Sequence, residues 1–420
     1  MKILFLTIDL PDLADGRGSL YADLVVELAK KGHEITAIAP CMPSQKEGLY
    51  IEGALRVLRV KNSAFIGNVP TYKKFYGVLM LTPHYKNAYR KYLWKESFDW
   101  IIMPTPPASL IDVVDYIQKR TDAKFYLLLR DIHPECRMRN PNLEIQKRES
   151  IYKECLEIPY KHDYILRPYL RRKAQKGYMM ANLIGCMSPG NVAFVKHICP
   201  NIREERLVIL PNWYKELDST SCDSNITEVK AKYGLAGKYI AIFGGTITAA
   251  QAVWNIATLA KHYLFNKDIV ILVVGRGSHK RVLERMANAD NLSNIKFIDY
   301  MPREDYELLL RSADVGLISL DEKYIVPTCP SKVIGYMALA KPVIAMINKG
   351  NDYGDYYITK PGCGLYSTDM NNKLMFDNFN RLYENEALRK KMGMNGYKYY
   401  KQNLTVEAIC KTLNEQLTNG

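Results

Sequence analysis

Eleven short runs of this chain are apolar throughout, not at every second position. In the first half they are "KILFLT" (2–7), "ITAIAP" (35–40), "WIIMPT" (100–105), "KFYLLLR" (124–130), "LIGCMS" (183–188) and "LVILPN" (207–212). In the second half they are "YIAIFGG" (239–245), "DIVILVVG" (268–275), "IKFID" (295–299), "VGLISL" (315–320) and "PVIAMI" (342–347). A strand with one face in water alternates; a strand apolar on both sides is buried on both, as in parallel sheets covered by helices. Amphipathic stretches such as "GSLYADLVVELAKKG" (18–32) and "PREDYELLLRSA" (302–313) lie between the runs. Strand–helix alternation of this kind predicts an α/β chain of doubly wound parallel sheets.

With 420 residues, the chain is long enough for two such domains. The Ser/Asp/Asn-rich start of "YKELDSTSCDSNITEVKAKYGLAGK" breaks the pattern, and "ITEVKAKYG" reads as a short helix closed by Gly234. The expected organisation is a first domain over 1–213, a linker over 214–238, a second domain over 239–395, and a helical segment over 396–420 that crosses back to the first. Two parallel sheets of this type bind ligands at the carboxyl ends of their strands. The opening apolar run is too short for a signal peptide, and no stretch approaches 18 uninterrupted apolar residues. Nine cysteines without a CxxC spacing read as a reduced, cytosolic chain without a zinc site. The net charge of +14 is uneven: residues 1–200 carry 30 Lys and Arg against 20 Asp and Glu, and the remainder 28 against 24. An anionic partner is therefore sought on the first half.

Three loops in the second half fall at predicted strand ends. Gly244, Gly245 and Thr246 open "FGGTITAAQAVWNI"; Gly275, Arg276 and Gly277 open "VVGRGSHKRVLE". The third, "VPTCPSKVIGYMALAKPVIA" (326–345), places Ser331 and Lys332 at the mouth of a helix and Gly335 inside it. Each glycine turn alone is an ordinary structural turn. Three from one sheet favour an anion such as a nucleotide diphosphate.

The order of "FGGTITAAQAVWNI", "VVGRGSHKRVLE", "IKFIDYMPREDYELLLRSADVGLISL", "CPSKVIGYMALAKPVIA" and "GNDYGDYYITKPGCGLY" resembles the glycosyltransferases of family 4. Within that family, "RDIHP", "PNW", "PSKVIGYMA" and "GND…PGCG" look most like the bacterial amino-sugar transferases of surface-polysaccharide assembly, such as the N-acetyl-fucosamine transferases. The resemblance implies a GT-B fold of two Rossmann-like domains facing a central crevice. It implies a retaining transfer of a sugar, an N-acetylated amino or deoxyamino sugar, from a nucleoside diphosphate, UDP by preference, to a glycan acceptor. It implies neither a cofactor nor an essential metal. Many members carry a Glu-x7-Glu pair whose positions fall here on Pro327 and Gly335, so both glutamates are absent.

That departure leaves two readings. In one, Lys332 and Arg276 supply the cations for the diphosphate, the Cys329–Lys332 turn presents backbone N–H groups, and Gly335 lets the ribose approach; Pro330 has no N–H to give. In the other, donor chemistry has decayed; a separate alternative for Lys332 alone is that it is only a solvated lysine at a helix start. In the first domain, Asp131 and His133 of "LLLRDIHPE" would orient the acceptor hydroxyl, or Asp131 pairs with Arg130 for structure alone. In a front-face retaining reaction the leaving phosphate takes the acceptor's proton, and positioning carries the rate. Gly16 and Gly18 of "ADGRGS" would let a loop approach the sugar, or make an ordinary turn.

Two basic, aromatic stretches, "TYKKFYGVLMLTPHYKNAYRKYLWK" (71–95) and "YILRPYLRRKAQKGYMM" (164–180), suit an anionic membrane surface. Arg167, Arg171, Arg172 and Lys173 are the expected membrane or acceptor patch, consistent with a polyprenyl-diphosphate-linked acceptor and a peripheral cytoplasmic location in capsule or O-antigen assembly. The alternative is two solvated helix faces. No nucleic-acid-binding motif accompanies the charge. Competing functions are a GT-B sugar-nucleotide epimerase and a non-catalytic subunit that binds donor or lipid.

Overall fold

A computed structural model describes residues 1–13, 19–42, 45–61, 71–135, 161–217, 223–322, 324, 326–368 and 372–420. The described residues form two compact units. The first holds 1–135, Lys161–Lys215 and Val406–Gly420; the second holds Glu216–Thr405.

The first unit is built on β1 (Lys2–Leu6), β2 (Glu34–Pro40), β3 (Gly48–Glu52), β4 (Leu55–Val60), β5 (Trp100–Thr105), β6 (Lys124–Leu129), β7 (Leu183–Cys186) and β8 (Leu207–Ile209). Their order is β3-β4-β2-β1-β5-β6-β7-β8, and only the β3–β4 pair is antiparallel. Its helices are α1 (Leu20–Lys30), α2 (Thr71–Tyr92), α3 (Ile111–Gln118), α4 (Lys161–Met180) and α5 (Pro189–Ile198). The second unit is built on β9 (Tyr239–Thr246), β10 (Ile269–Arg276), β11 (Ile295–Ile298), β12 (Val315–Ser319), β13 (Val343–Ile347) and β14 (Gly364–Thr368), in the order β11-β10-β9-β12-β13-β14, all parallel. Its helices are α6 (Asp223–Lys232), α7 (Val253–His262), α8 (Lys280–Ala289), α9 (Arg303–Ser312), α10 (Lys332–Ala338), α11 (Asn372–Glu384) and α12 (Glu386–Asn403); α13 (Val406–Asn419) ends the chain.

Each of the eleven apolar runs contains a strand; nine are buried on both faces, whereas β8 and β11, at the edges of their sheets, are largely half-buried. Phe5, Ile102 and Leu128 centre the first core; Phe243, Ile271 and Leu317 centre the second. In each sheet the strand order reverses beside the unit's first strand, between β1 and β5 and between β9 and β12. Chain crossovers leave that point in opposite directions, opening a gap at the carboxyl ends of the strands.

The segment 214–238, read above as a linker, includes α6. Gly234 follows it at φ +61°, and the Lys296 ammonium of β11 donates to the Tyr233 carbonyl at 2.7 Å. α12 is continuous to Asn403 and packs on α10, with Gly393 so close to the Ala340 carbonyl that a Cβ would lie 1.9 Å from its oxygen. The residues that belong with the first unit therefore start at Val406. Ile409, Cys410, Leu413 and Leu417 of α13 enter its core, and the Tyr126 hydroxyl donates to Gln416 at 2.6 Å.

One buried ion pair fixes the chain leaving β1. Arg59 on β4 is fully buried. Its Nε and Nη2 bind Glu52 at 2.8 and 2.5 Å, Nη1 reaches the Leu10 and Pro40 carbonyls, and Nη2 also reaches the Pro11 carbonyl. Glu52 in turn accepts the Leu13 N–H at 3.4 Å.

Candidate active site

In the second unit, β9 and β10 run side by side to their last residues, with Gly245 beside Gly275 and Thr246 beside Arg276. The pairing continues past the strands: the Ile247 N–H donates to Arg276, and the His279 N–H donates to Ile247. Gly275, at φ +136°, lies so close to Gly245 that a Cβ would sit 2.0 Å from its carbonyl oxygen. Gly275 is therefore required by the close approach of Gly245, whereas a Cβ on Gly245, at φ +96°, would meet nothing; the two strand-end loops form one ledge. Gly244 has a further neighbour, since a Cβ there would lie 2.0 Å from the Tyr306 hydroxyl of α9. Gly245 and Thr246 are exposed on the ledge.

The Arg276 guanidinium is exposed and stacks over Tyr300, 4.4 Å from the ring centroid. Tyr300, itself 65% exposed, was not singled out from the sequence. Its aromatic face orients the fork of Arg276 without neutralising it, which leaves the charge available to an anion.

Ser331 is exposed at the start of α10 and caps no N–H. Lys332 is not a solvated helix-start lysine. The residue is half-buried, but its ammonium is enclosed: it donates to Gln251 Oε1 at 3.0 Å and lies 4.1 Å from the Phe243 ring centroid. Desolvation lowers its pKa from the usual lysine range to about 7. It thus ties α10 to the turn following β9. Gly335, expected to admit a ribose, is buried within α10. Residues 324 and 326–330, preceding α10, are held by side chains from 348–353, in and around the "GND" stretch. Asn348 donates to the Tyr324 carbonyl at 3.0 Å, Asn351 to Thr328 at 3.2 Å, and the Tyr353 hydroxyl to Pro330 at 3.0 Å.

In the first unit, Asp131 is exposed just beyond β6, and its carbonyl accepts the His133 N–H at 2.9 Å and the Thr105 hydroxyl at 3.3 Å. His133 is half-buried. The neighbouring Arg130 is buried and directs Nη1 to Asn212 at 2.8 Å and Nη2 to the Leu210 and Gly185 carbonyls; its guanidinium lies 5.5 Å from the Trp213 ring centroid. The "PNW" stretch thereby braces this strand end, and the Trp213 indole also donates to the Leu20 carbonyl of α1 at 2.9 Å. Tyr21 on α1 belongs to the same cluster. Burial pushes its phenol up, Arg130 opposes, and the Asp9 and Asp131 carboxylates add to the rise. Asp9, past the end of β1, is open to solvent yet ringed by protein, which raises its carboxyl. Sequence reading missed Asp9 and Tyr21, although Asp9 closes the first apolar run. Gly16 and Gly18 lie outside the described residues.

The basic patch on α4 needs correction. Arg171 Nε donates to the buried Glu135 at 2.7 Å, and Lys173 is paired with Asp112, which Lys176 also reaches at 3.0 Å. These side chains neutralise carboxylates of their own unit and are not a free anion-binding face. Arg167 is half-buried; Arg172 is exposed. No helix among the described residues is long and apolar enough to cross a membrane.

Two Rossmann-like parallel-sheet units make up the GT-B architecture. Residues 225–399, within the second unit, match the model of the family described as Glycosyl transferases group 1. The chain is 25% identical over 261 residues to the "Probable glycosyltransferase WbjE" of Pseudomonas aeruginosa, a stretch covering 60% of this chain and 58% of that protein. It is 23% identical over 172 residues to the "Putative colanic acid biosynthesis glycosyl transferase WcaI" of Escherichia coli (strain K12), covering 40% and 42%. The matches thus span about half the length of these relatives. Among solved structures, HepE of Anabaena in complex with UDP-glucose superposes over 100% of both chains with a TM-score of 0.67 at 14% identity, a likeness of fold.

Proposed function

We propose that the protein is a retaining glycosyltransferase that moves a sugar, an N-acetylated amino or deoxyamino sugar, from UDP to a lipid-linked glycan in bacterial surface-polysaccharide assembly. The observation that carries this reading is the ledge of the second unit, which lies inside the stretch matched by the glycosyl transferases group 1 model and presents Arg276, Gly245 and Thr246 together. The name of WbjE supports glycosyl transfer, that of WcaI supports polysaccharide biosynthesis, and the UDP-glucose complex of HepE supports a UDP donor.

In this reading Arg276 and Lys332 hold the diphosphate and stabilise the charge that grows on it as the glycosidic bond breaks. The departing phosphate oxygen takes the acceptor hydroxyl's proton, so no strong protein base is required. Asp131 and His133, with Asp9 and Tyr21 beside Asp131, orient the acceptor. Cationic side chains take the place of a metal. Thermal unfolding with UDP-, GDP-, dTDP- and ADP-sugars in EDTA tests the donor. At 100 times its dissociation constant the true donor adds about 2.7 kcal/mol. Stabilisation by UDP-sugars is expected; none from any nucleotide sugar overturns the reading.

The lipid-linked acceptor brings the protein to an anionic leaflet through the first unit. Arg172 on α4 and the exposed Tyr76 and Leu79 on α2 would meet the surface. Binding to phosphatidylglycerol vesicles should rise with anionic lipid content and fall with salt. Equal recovery with neutral and anionic vesicles would sink this part.

A further inference from the structure

We propose that a groove at the amino ends of β5 and β6 is a second saccharide site, which holds a neutral stretch of glycan chain away from the transfer site. The inference rests on the reading above that the protein handles a glycan.

The groove encloses about 840 Å³, within the range of sites that hold small ligands. Trp94, Trp100, Arg120, Asp122 and Lys124 line it. Trp100 opens β5 and Lys124 opens β6, whereas Asp131 lies beyond the other end of β6. At about 3.3 Å per residue, roughly 20 Å of sheet separates the groove from the acceptor-side cluster.

Its aromatic wall is preorganised. Trp94 is 47% exposed, so part of its ring is open to a ligand. The Arg120 guanidinium lies 5.2 Å from the Trp94 centroid and 4.0 Å from that of Tyr116, and its Nη1 donates to the Tyr116 carbonyl at 2.9 Å. Stacking on one guanidinium holds the indole in place before any ligand arrives, which lowers the ordering cost of binding. A fixed indole offers an apolar plane for the C–H face of a pyranose ring.

Charge selects among ligand classes. The lining carries Lys95, Arg120 and Lys124 against Glu96, Asp99 and Asp122. A polyanion would meet the carboxylates and a polycation the ammonium groups. A neutral polyol can donate to one set and accept from the other. Part of this frame is fixed: Glu96 binds Arg56 through two hydrogen bonds of 2.6 and 2.8 Å, and Asp99 accepts the Lys2 N–H at 2.7 Å. Lys95, Ser97 and Asp122 make no side-chain hydrogen bond or ion pair among the described residues, which leaves donors and acceptors of both kinds for hydroxyl groups. A chain held here and at the transfer site is bound twice, so long acceptors gain effective concentration over short ones.

The test is retention of the full-length protein on an array of bacterial surface-polysaccharide fragments. Wild type should retain neutral oligosaccharides. Trp94→Ala and Asp122→Asn should each lose that retention at least tenfold, with thermal unfolding and nucleotide-sugar stabilisation unchanged. Asp122→Asn keeps size and removes only charge at an exposed position, so it remains informative if Trp94→Ala folds poorly. Undiminished retention by Asp122→Asn and any folded Trp94→Ala, binding of acidic fragments only, or no retention by wild type overturns the proposal. Loss of nucleotide-sugar stabilisation in wild type would instead count against the donor reading and leave the groove result standing.

Discussion

Arg59→Met should destabilise the first unit by about 3–5 kcal/mol, the cost of leaving one member of a buried ion pair without its partner. Glu52 is 5% exposed and would keep a carboxylate with little water and no guanidinium, while the Leu10, Pro11 and Pro40 carbonyls lose their donor. Arg59→Lys should recover only part of the loss, because a single ammonium cannot replace a fork that reaches both Glu52 oxygens and three carbonyls. The paired Arg59→Met, Glu52→Leu protein should recover most of it, since similar apolar volume replaces two buried charges. Urea unfolding checks all three. A loss below 1 kcal/mol for Arg59→Met would show that water reaches the pair. The pair also bears on the site, because it grips the chain on both sides of Pro11, two residues past Asp9. Acceptor turnover in the paired variant should therefore fall further than its stability does.

Arg59 also shows where sequence reading overcounts. The 51–100 window looks strongly basic, and Arg56 and Arg59 of "LRVLRV" are counted among its charges. In the fold Arg56 pairs with Glu96 and Arg59 with Glu52, so these two positive charges are used internally. The same holds for Arg171 and Lys173 on α4. A charge count along the chain cannot see a carboxylate that arrives from another element, and Asp112 lies some 60 residues from Lys173.

The parallel sheets were legible because burial on both faces forces an unbroken apolar run. β4 was missed because Arg56 and Arg59 interrupt its apolar run although the strand is buried, and β3 and β14 were missed for the converse reason. β3 is an antiparallel edge strand with Ile51 73% exposed, and β14 is half-buried at the other sheet's edge. Neither position demands a continuous apolar signal. The strand-end loops were legible from their glycines, although Gly244 and Gly275 are explained first by Tyr306 and Gly245. Tyr300 and Tyr21 could not be found, because what matters is the guanidinium or carboxylate that each meets across the fold. Lys332 was found as a residue, but not the burial of its ammonium, which depends on Phe243 and Gln251.

That burial yields a sign that experiment can read. Desolvation holds Lys332 near pKa 7, so the free protein at pH 8 carries mostly the neutral amine. A diphosphate beside it favours the ammonium and raises the pKa, so donor binding takes up a proton. The kcat/KM for donor should then be greatest below pH 7 and fall toward tenfold per pH unit above it. Stability runs the other way. Between about pH 7 and the ordinary lysine range the unfolded chain binds the proton that the native chain does not, so this group's contribution to folding improves as pH rises. Lys332→Met should remove both dependences. It should also cost about 2–4 kcal/mol in transition-state stabilisation, roughly 30- to 1000-fold in kcat/KM, the loss of a charge-assisted contact that strengthens as the phosphate departs. Calorimetry of donor binding at pH 8 in buffers of different ionisation enthalpy would measure the proton directly. Uptake approaching one proton in wild type and none in Lys332→Met is expected. A wild-type pH profile in Lys332→Met, or no proton uptake by wild type, would place the diphosphate elsewhere and leave Lys332 as a brace between α10 and the turn after β9.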